Sequence, residues 1–174
     1  MFENNTELAN LQALLDASFE KAGPRMQAVY DIGQKLSASQ LAGFRGVRLV
    51  SIASVNAKGE PRVAPRSGAF LHGKFYLAAN TKSTTVKRLW ANPKAAITYY
   101  ENHLLVMGHG TVSFLRKGEP GFRAAKPEWE KAFSGGRDAL LGIDVFLRVD
   151  TIHLVAYASH PERYPEAWGR ARRH

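Results

Sequence analysis

Hydrophobic residues recur at helical spacing over the first part of the chain. Residues 7 to 22 carry apolar positions every three or four residues, which predicts an amphipathic helix. The members of this apolar face are Leu8, Leu11, Leu14, Leu15 and Phe19. Gly23 is expected to end this helix, because Pro24 suits the first position of a second one. The second helix is predicted to bury three apolar side chains, namely Met26, Val29 and Ile32.

A third, short helix is indicated by Ser37 and Gln40, a serine followed three residues later by a glutamine. This spacing is typical of a capping box, in which each side chain bonds the other residue's backbone N–H. The helix should end near Gly43. We find no candidate chemistry in these helices. We interpret residues 1–45 as a helical segment packed on the rest of the protein.

From Gly46 onwards the apolar positions alternate with polar ones, which predicts β-strands. Turn residues separate successive strands, as in the segment 56–59, so neighbouring strands should pair antiparallel. Glycines at 108 and 110 indicate a bend or bulge in one long strand. The predicted strands cover residues 46–55, 62–71, 75–77, 94–100, 103–115 and 144–158.

Two helical segments interrupt these strands. Val86, Leu89 and Trp90 have helical spacing, and Asn92 with the following proline ends that helix. Residues 116–137 are rich in glycine and proline, and they contain a short predicted helix at 128–133.

About six antiparallel strands usually close on themselves, because closure removes exposed strand edges. The predicted fold class is therefore mainly β with flanking helices (α+β), built around a small barrel. We assign residues 46–160 to the barrel and residues 161–174 to a C-terminal tail.

Composition adds few constraints. Hydrophobic residues make up 45% of the chain and charged residues 22%, which is ordinary for a globular domain. No apolar run is long enough to span a bilayer, and the first ten residues lack the pattern of a signal peptide, so we expect a cytoplasmic protein. The chain has no cysteine, which excludes disulfides and thiolate metal sites.

The net charge of +9 is concentrated in the centre of the chain. Residues 45–116 contain eleven of the 24 lysines and arginines but only two of the 15 acidic residues. The rest of the chain is therefore neutral overall. A localised positive field indicates an anionic ligand. Nucleic acid is the rival interpretation, and charge alone does not separate the two.

The turn at residues 80–83 is the first candidate for that anion site. It places Thr81 and Ser83 at the start of the fourth helix, where unpaired N–H groups and the helix dipole favour anions. The alternative is a capped helix whose lysines are solvated.

The strand at residues 62–71 is the second candidate. Alternation puts Arg62, Ala64, Arg66 and Gly68 on one face. The two arginines are about 13 Å apart at the rise of a strand. We expect this face to meet solvent or an anion rather than the core. Arg66 is the stronger candidate, since Arg62 can pair with the nearby Glu60.

Four short segments, in order, resemble the pyridoxamine 5′-phosphate oxidase-like family of flavin-binding split barrels. They are Asn-Ala-Lys-Gly-Glu-Pro-Arg at 56–62, Gly-Lys-Phe-Tyr at 73–76, the helix at 83–93 with its Asn-Pro end, and Val-Met-Gly-His-Gly at 106–110. The resemblance covers roughly residues 40–160. It implies a split barrel that forms a homodimer, with FMN, or alternatively a deazaflavin, in a cleft between the subunits.

The resemblance also implies which residues contact the cofactor. Arg62, Pro65, Arg66 and Ser67 fall on the strand that lines the flavin ring, and Thr81 and Ser83 fall in the phosphate turn. Lys87 matches a basic position of the helix, and His103 matches a polar position near the flavin. Thr85 stands where the family usually has a lysine, a charge that Lys82, Lys87 or Arg88 could supply.

The implied function is a flavin-dependent oxidoreductase acting on an unidentified small molecule. The alternative is a barrel that stores or binds flavin or haem without turnover, in which His109 could ligate haem iron. No residue pattern indicates a catalytic acid, base or metal cluster, so catalytic residues stay unassigned. Nucleic-acid binding ranks last, because the basic strand face lacks aromatic residues for stacking on bases.

Overall fold

The computed structural model describes residues 4–29, 34–44, 46–133 and 142–164. The helices are α1 (Asn5–Glu20), α2 (Pro24–Val29), α3 (Ala38–Ala42), α4 (Thr84–Ala91) and α5 (Pro120–Ala132). The strands are β1 (Arg48–Val55), β2 (Pro61–Leu71), β3 (Lys74–Ala79), β4 (Lys94–Glu101), β5 (Leu104–Arg116) and β6 (Val145–Ala158). A 3-10 turn follows at Pro161–Arg163.

The six strands form one closed antiparallel barrel in the order β1-β2-β3-β6-β5-β4. The predicted fold class is confirmed. Alternate residues of the strands fill the barrel with fully buried side chains such as Ile52, Leu77, Val106 and Leu147. Closure places β1 and β6 three positions apart in a ring of six, so they lie on opposite sides of the barrel.

Capping boxes start two of the N-terminal helices. Ser37 and Gln40 form the predicted box at the start of α3. A second box, between Asn4 and Glu7, starts α1 two residues earlier than predicted. Ser18 joins α1 to the barrel, because its hydroxyl accepts a hydrogen bond from the β6 backbone N–H of Leu154 at 2.9 Å.

Two helix predictions were wrong in detail. Met26 in α2 was predicted to be buried, but its side chain is 43% exposed. The structure does not describe the Val29 side chain, Ile32 or residues 165–174. Helix α5 is much longer than the predicted 128–133, since it begins with Pro120 at its first turn and continues through Pro127.

No helix in the described ranges is long and apolar enough to cross a membrane.

Strands β5 and β6 contain the irregularity that the glycines predicted. The pairing shifts between His109 and Gly110, so Ile152 of β6 has no direct partner and is 71% exposed. A Cβ atom at position 110 would lie 2.1 Å from the backbone oxygen of Asp150. The shift therefore requires glycine at 110.

A charged network ties β3, β6 and β5 together on the outside of the barrel. The Asp150 carboxylate accepts hydrogen bonds from Lys74 at 2.7 Å, Arg148 at 2.9 and 3.0 Å, and Ser113 at 2.6 Å. Burial alone would raise the pKa of Asp150. These hydrogen bonds outweigh burial and lower the pKa to about 2.

This network predicts acid sensitivity. A carboxylate with a lowered pKa in the folded state stabilises the fold fully above its ordinary value of 3.8, and that stabilisation is lost as the pH falls towards 2. We expect the denaturant midpoint of the wild-type protein to fall over this window. The Asp150→Asn variant should show a shallower fall. Parallel curves for the two proteins would contradict the assignment.

Candidate functional site

The turn before α4 is held by its own side chains. The backbone N–H and the hydroxyl of Thr81 donate to the carboxylate of Asp144, at 2.7 and 2.6 Å. The Ser83 hydroxyl accepts a hydrogen bond from the N–H of Val86 at 3.3 Å and so caps α4. Both predicted phosphate-turn hydroxyls are thus engaged within the chain, and they fix the position of the helix start.

The first turn of α4 brings two arginines together on one hydroxyl. Arg66 donates to the Thr85 Oγ1 from Nη2 at 2.8 Å, and Arg88 approaches the same oxygen at 3.4 Å. Arg88 also donates from Nε to the Ser54 hydroxyl at 3.3 Å. Thr85 and Ser54 are both buried. We call Arg66, Arg88, Thr85 and Ser54 the arginine cluster.

The arginine cluster has an uncompensated positive charge. Within the part of the chain that the structure describes, neither Arg66 nor Arg88 forms an ion pair with a carboxylate. The Nε atom of Arg66 is buried and has no hydrogen-bond partner. A buried donor without a partner costs free energy. An anion with several acceptor oxygens would satisfy it.

Strand register explains how the sequence builds this cluster. Val50 pairs with Arg66 and Ser54 pairs with Arg62 across β1 and β2, so these side chains share one face of the sheet. Helix α4 packs against β1 with Val86 buried, which carries Thr85 and Arg88 onto the same face.

The predicted polar face of β2 is only partly polar. Arg62 and Arg66 lie on one face as alternation predicted, but that face was wrongly excluded from the core. Gly68 is buried against Val50, and Ala64 packs on the core cluster. The face changes from basic to apolar along the strand, because the strand enters the barrel towards its C-terminal end.

The other predicted site residues are not members of the arginine cluster. Arg62 pairs with Glu60 at 2.7 Å and is half exposed. Pro65 and Ser67 lie on the opposite face of β2, and Lys87 is exposed on α4. His103 is exposed in the β4–β5 turn, with a φ of 64°, at the Arg48 end of β1 and away from Ser54.

Sequence reasoning missed Ser54 and left Arg88 as one of three possible replacements for a lysine. The signal for Ser54 was present. It is a polar residue that continues the buried face of Val50 and Ile52 on β1. Such a residue needs a buried hydrogen-bond partner, and Arg88 provides it.

Ser54 also lines a neighbouring cleft of about 370 Å³ between the β1–β2 hairpin and β4–β5. His109 and Ile152 contribute to its wall. The volume lies within the range of small-molecule sites. The cleft and the arginine cluster share Ser54, whose side chain is buried, whereas Arg66, Thr85 and Arg88 do not line the cleft.

His109 stacks on His153 of β6 near this cleft, with ring centroids 5.0 Å apart and an angle of 20° between the rings. Burial lowers the pKa of His153, and the neighbouring His109 and Lys21 lower it further. A positive charge on His109 would thus disfavour protonation of His153.

Several large apolar side chains are exposed on the outer faces of the strands. Val63 is 69% exposed and Leu49 is 71% exposed, on neighbouring strands. Large exposed apolar side chains that lie together mark an interaction surface. Tyr100 on β4 and Met107 on β5 are also exposed.

Comparison with known proteins agrees with this architecture. A sequence profile described as pyridoxamine 5′-phosphate oxidase matches residues 37–139. No curated protein matches the chain. Among solved structures, the conserved hypothetical protein Rv2991 of Mycobacterium tuberculosis has a TM-score of 0.64 at 15% identity, with 79% of this chain and 94% of that chain covered.

Two further solved structures share the fold. An F420 reductase has a TM-score of 0.51 at 17% identity, with 64% of this chain and 90% of the other covered. The haem storage protein HutZ of Vibrio cholerae has a TM-score of 0.55 at 14% identity, with 65% and 89% covered. At these identities the likeness concerns the fold.

A six-stranded antiparallel barrel with a helix inserted after its third strand is a split barrel. The profile match covers more than half of the chain. The chain belongs to the pyridoxamine 5′-phosphate oxidase-like family.

Proposed function

We propose that the protein is an FMN-dependent oxidoreductase, or alternatively a deazaflavin-dependent one, that acts on a small molecule. The observation that carries this proposal is the arginine cluster, in which two guanidinium groups converge on Thr85 without a carboxylate partner among the described residues. A guanidinium can hold a phosphate through two parallel hydrogen bonds. The phosphate that FMN and deazaflavins both carry is the group that fits this site.

The fit is chemical as well as electrostatic. Arg66 and Arg88 would donate to the phosphate, and the orphaned Nε of Arg66 would gain an acceptor. Thr85 sits in the first turn of α4, where the helix dipole and the N–H groups at a helix start favour an anion, although the N–H of Val86 is already capped by Ser83. Where the family usually has a lysine, this chain has Thr85. Arg88 would supply the positive charge that the lysine provides. A bound flavin supplies the redox chemistry, and the chain holds and orients it.

Titration with FMN tests this proposal. We expect binding at micromolar concentration in low salt, measured by quenching of FMN fluorescence. Competition between FMN and a deazaflavin coenzyme then identifies the preferred cofactor. The absence of binding to both at low salt would refute the proposal.

A non-catalytic binding protein is the second candidate, and the His109–His153 stack favours its haem form. An imidazole is a common axial ligand of haem iron. The similarity to a haem storage protein suits this candidate. Haem titration of the wild-type protein should then give a Soret band that His109→Ala removes. A flavin-bound form that NADPH and NADH both fail to reduce would favour simple flavin storage.

We also propose that the protein is a homodimer, because a second copy would cover the exposed apolar side chains of the strands. Placing a charge in this face should disfavour association, since the charge would lose its hydration. We expect Val63→Glu to weaken dimerisation at least about tenfold in light scattering. Lys58→Glu, in the exposed β1–β2 turn, is the control. A wild-type protein that is monomeric with cofactor bound would contradict this proposal.

A further inference from the structure

A second cleft is lined by none of the residues of the arginine cluster. Helix α4 covers β1, whereas this cleft lies between the first half of α1, the β2–β3 turn and the outer faces of β3 and β6. Its volume is about 580 Å³, larger than that of the cleft at Ser54. A volume of this size suits a small organic ligand. We call it the α1 cleft.

One end of the α1 cleft is positively charged. Lys74 and Arg148 share a single carboxylate, that of Asp150, so this end carries one positive charge in excess. The Lys74 side chain is 42% exposed, and that of Arg148 is 30% exposed. Both cations are therefore accessible from the cleft. Tyr76 lies beside them, and burial raises the pKa of its hydroxyl, which keeps it a neutral donor.

The rest of the α1 cleft is apolar on its sides and acidic at its far end. Leu14 and Ile152 line it, and the exposed side chain of Ile152 gains a partner if a ligand is present. Glu7 lies 3.1 Å from His72 on the opposite wall. Burial would raise the pKa of Glu7, but hydrogen bonds from Asn4 and His72 lower it, so this carboxyl is ionised.

These charges select the type of anion. The two cations Lys74 and Arg148 equal in number the two carboxylates of Asp150 and Glu7 in the α1 cleft. The cleft as a whole therefore has no excess charge to hold a dianion such as a phosphate, and a second negative group near Glu7 would be repelled. A single carboxylate at the Lys74 end, followed by an apolar body, matches both the charge and the walls.

We propose that the α1 cleft binds an amphipathic monocarboxylate, with its carboxylate on Lys74 and Arg148 and a planar apolar body between Leu14, Tyr76 and Ile152. The ligand carboxylate and Asp150 compete for the same two cations. The α1 cleft shares no residue with the arginine cluster, and only Ile152 with the cleft at Ser54, so this proposal does not rest on the flavin proposal.

The probe is 2-naphthoate, with 2-naphthamide as its uncharged match, titrated into the full-length protein and followed by NMR. A ligand of this size should bind with a Kd of about 1 mM or tighter. Lys74→Met should weaken naphthoate binding about tenfold and leave naphthamide unchanged. Asp150→Asn should tighten naphthoate binding several-fold, because it removes the competing carboxylate.

The opposite signs of these two variants separate a ligand site from a purely structural network. FMN binding should be unchanged in Lys74→Met, and Lys58→Met in the exposed β1–β2 turn should match wild type in every titration. Equal binding of naphthoate and naphthamide would overturn the proposal. So would weaker binding in Asp150→Asn at a temperature where NMR shows this variant to be folded, or chemical-shift changes confined to residues outside the α1 cleft.

Discussion

Replacing Arg66 with alanine is expected to weaken FMN or deazaflavin binding about ten- to hundredfold. The Arg66 guanidinium is partly buried, and it reaches across from β2 to Thr85 at the start of α4. Hydrogen bonds to charged groups contribute roughly 1.5–3 kcal/mol each, and ~1.4 kcal/mol is a factor of ten in affinity. The fold should survive, since Thr85 retains its contact with Arg88. Fluorescence titration with FMN at fixed ionic strength measures the effect.

Two further variants define what Arg66 does. Lys58→Ala removes a positive charge from the exposed β1–β2 turn and should change affinity little. Arg66→Lys keeps the charge but loses the forked donor geometry, so its affinity should lie between those of the wild type and Arg66→Ala. If Lys58→Ala and Arg66→Ala weaken binding equally, the positive charge acts as a diffuse field and the site assignment fails.

The barrel could be predicted from the sequence because its signals are local. Alternation of apolar residues located all six strands, and the Ser37–Gln40 spacing located a helix start. The extent of α5 could not be predicted in the same way. Its glycines and prolines indicate a loop, and the helix is stabilised by burial of Phe122 and Trp129 against Phe146, which lies far away in sequence.

The candidate site was predictable only in part for a related reason. Alternation on one strand identified Arg66, but the identity of its partner depends on how α4 packs on β1. The packing of α4 brings Arg88 to Ser54, two residues 34 positions apart in the chain. The α1 cleft was not foreseen, because its walls come from α1, the β2–β3 turn and β6. Separate segments of this kind meet only in the folded barrel.

The close approach of β5 and β6 leads to the largest expected effect on stability. At position 110 a Cβ atom would lie 2.1 Å from the Asp150 oxygen and 2.8 Å from the Thr151 Cα, both backbone atoms that cannot rotate away. Gly110→Ala must therefore push the strands apart. Overpacking typically costs about 1–3 kcal/mol, and the backbone clash puts this variant at roughly 3 kcal/mol. For a domain of this size that lowers Tm by roughly 10 °C.

The matched control is Gly23→Ala. A Cβ atom added at Gly23 would meet no atom of a described residue within 4 Å beyond its chain neighbours, and the φ of this residue is outside the left-handed region. Alanine there should leave Tm unchanged or raise it slightly, because it restricts the unfolded chain.

Separation of the strands by Gly110→Ala should also pull His109 away from His153. The pKa of His153, followed by NMR, should then rise towards its ordinary value, since part of its lowering comes from His109. Equal melting temperatures for the two alanine variants would show that β5 and β6 can accommodate a side chain at 110, and that the register shift does not depend on glycine.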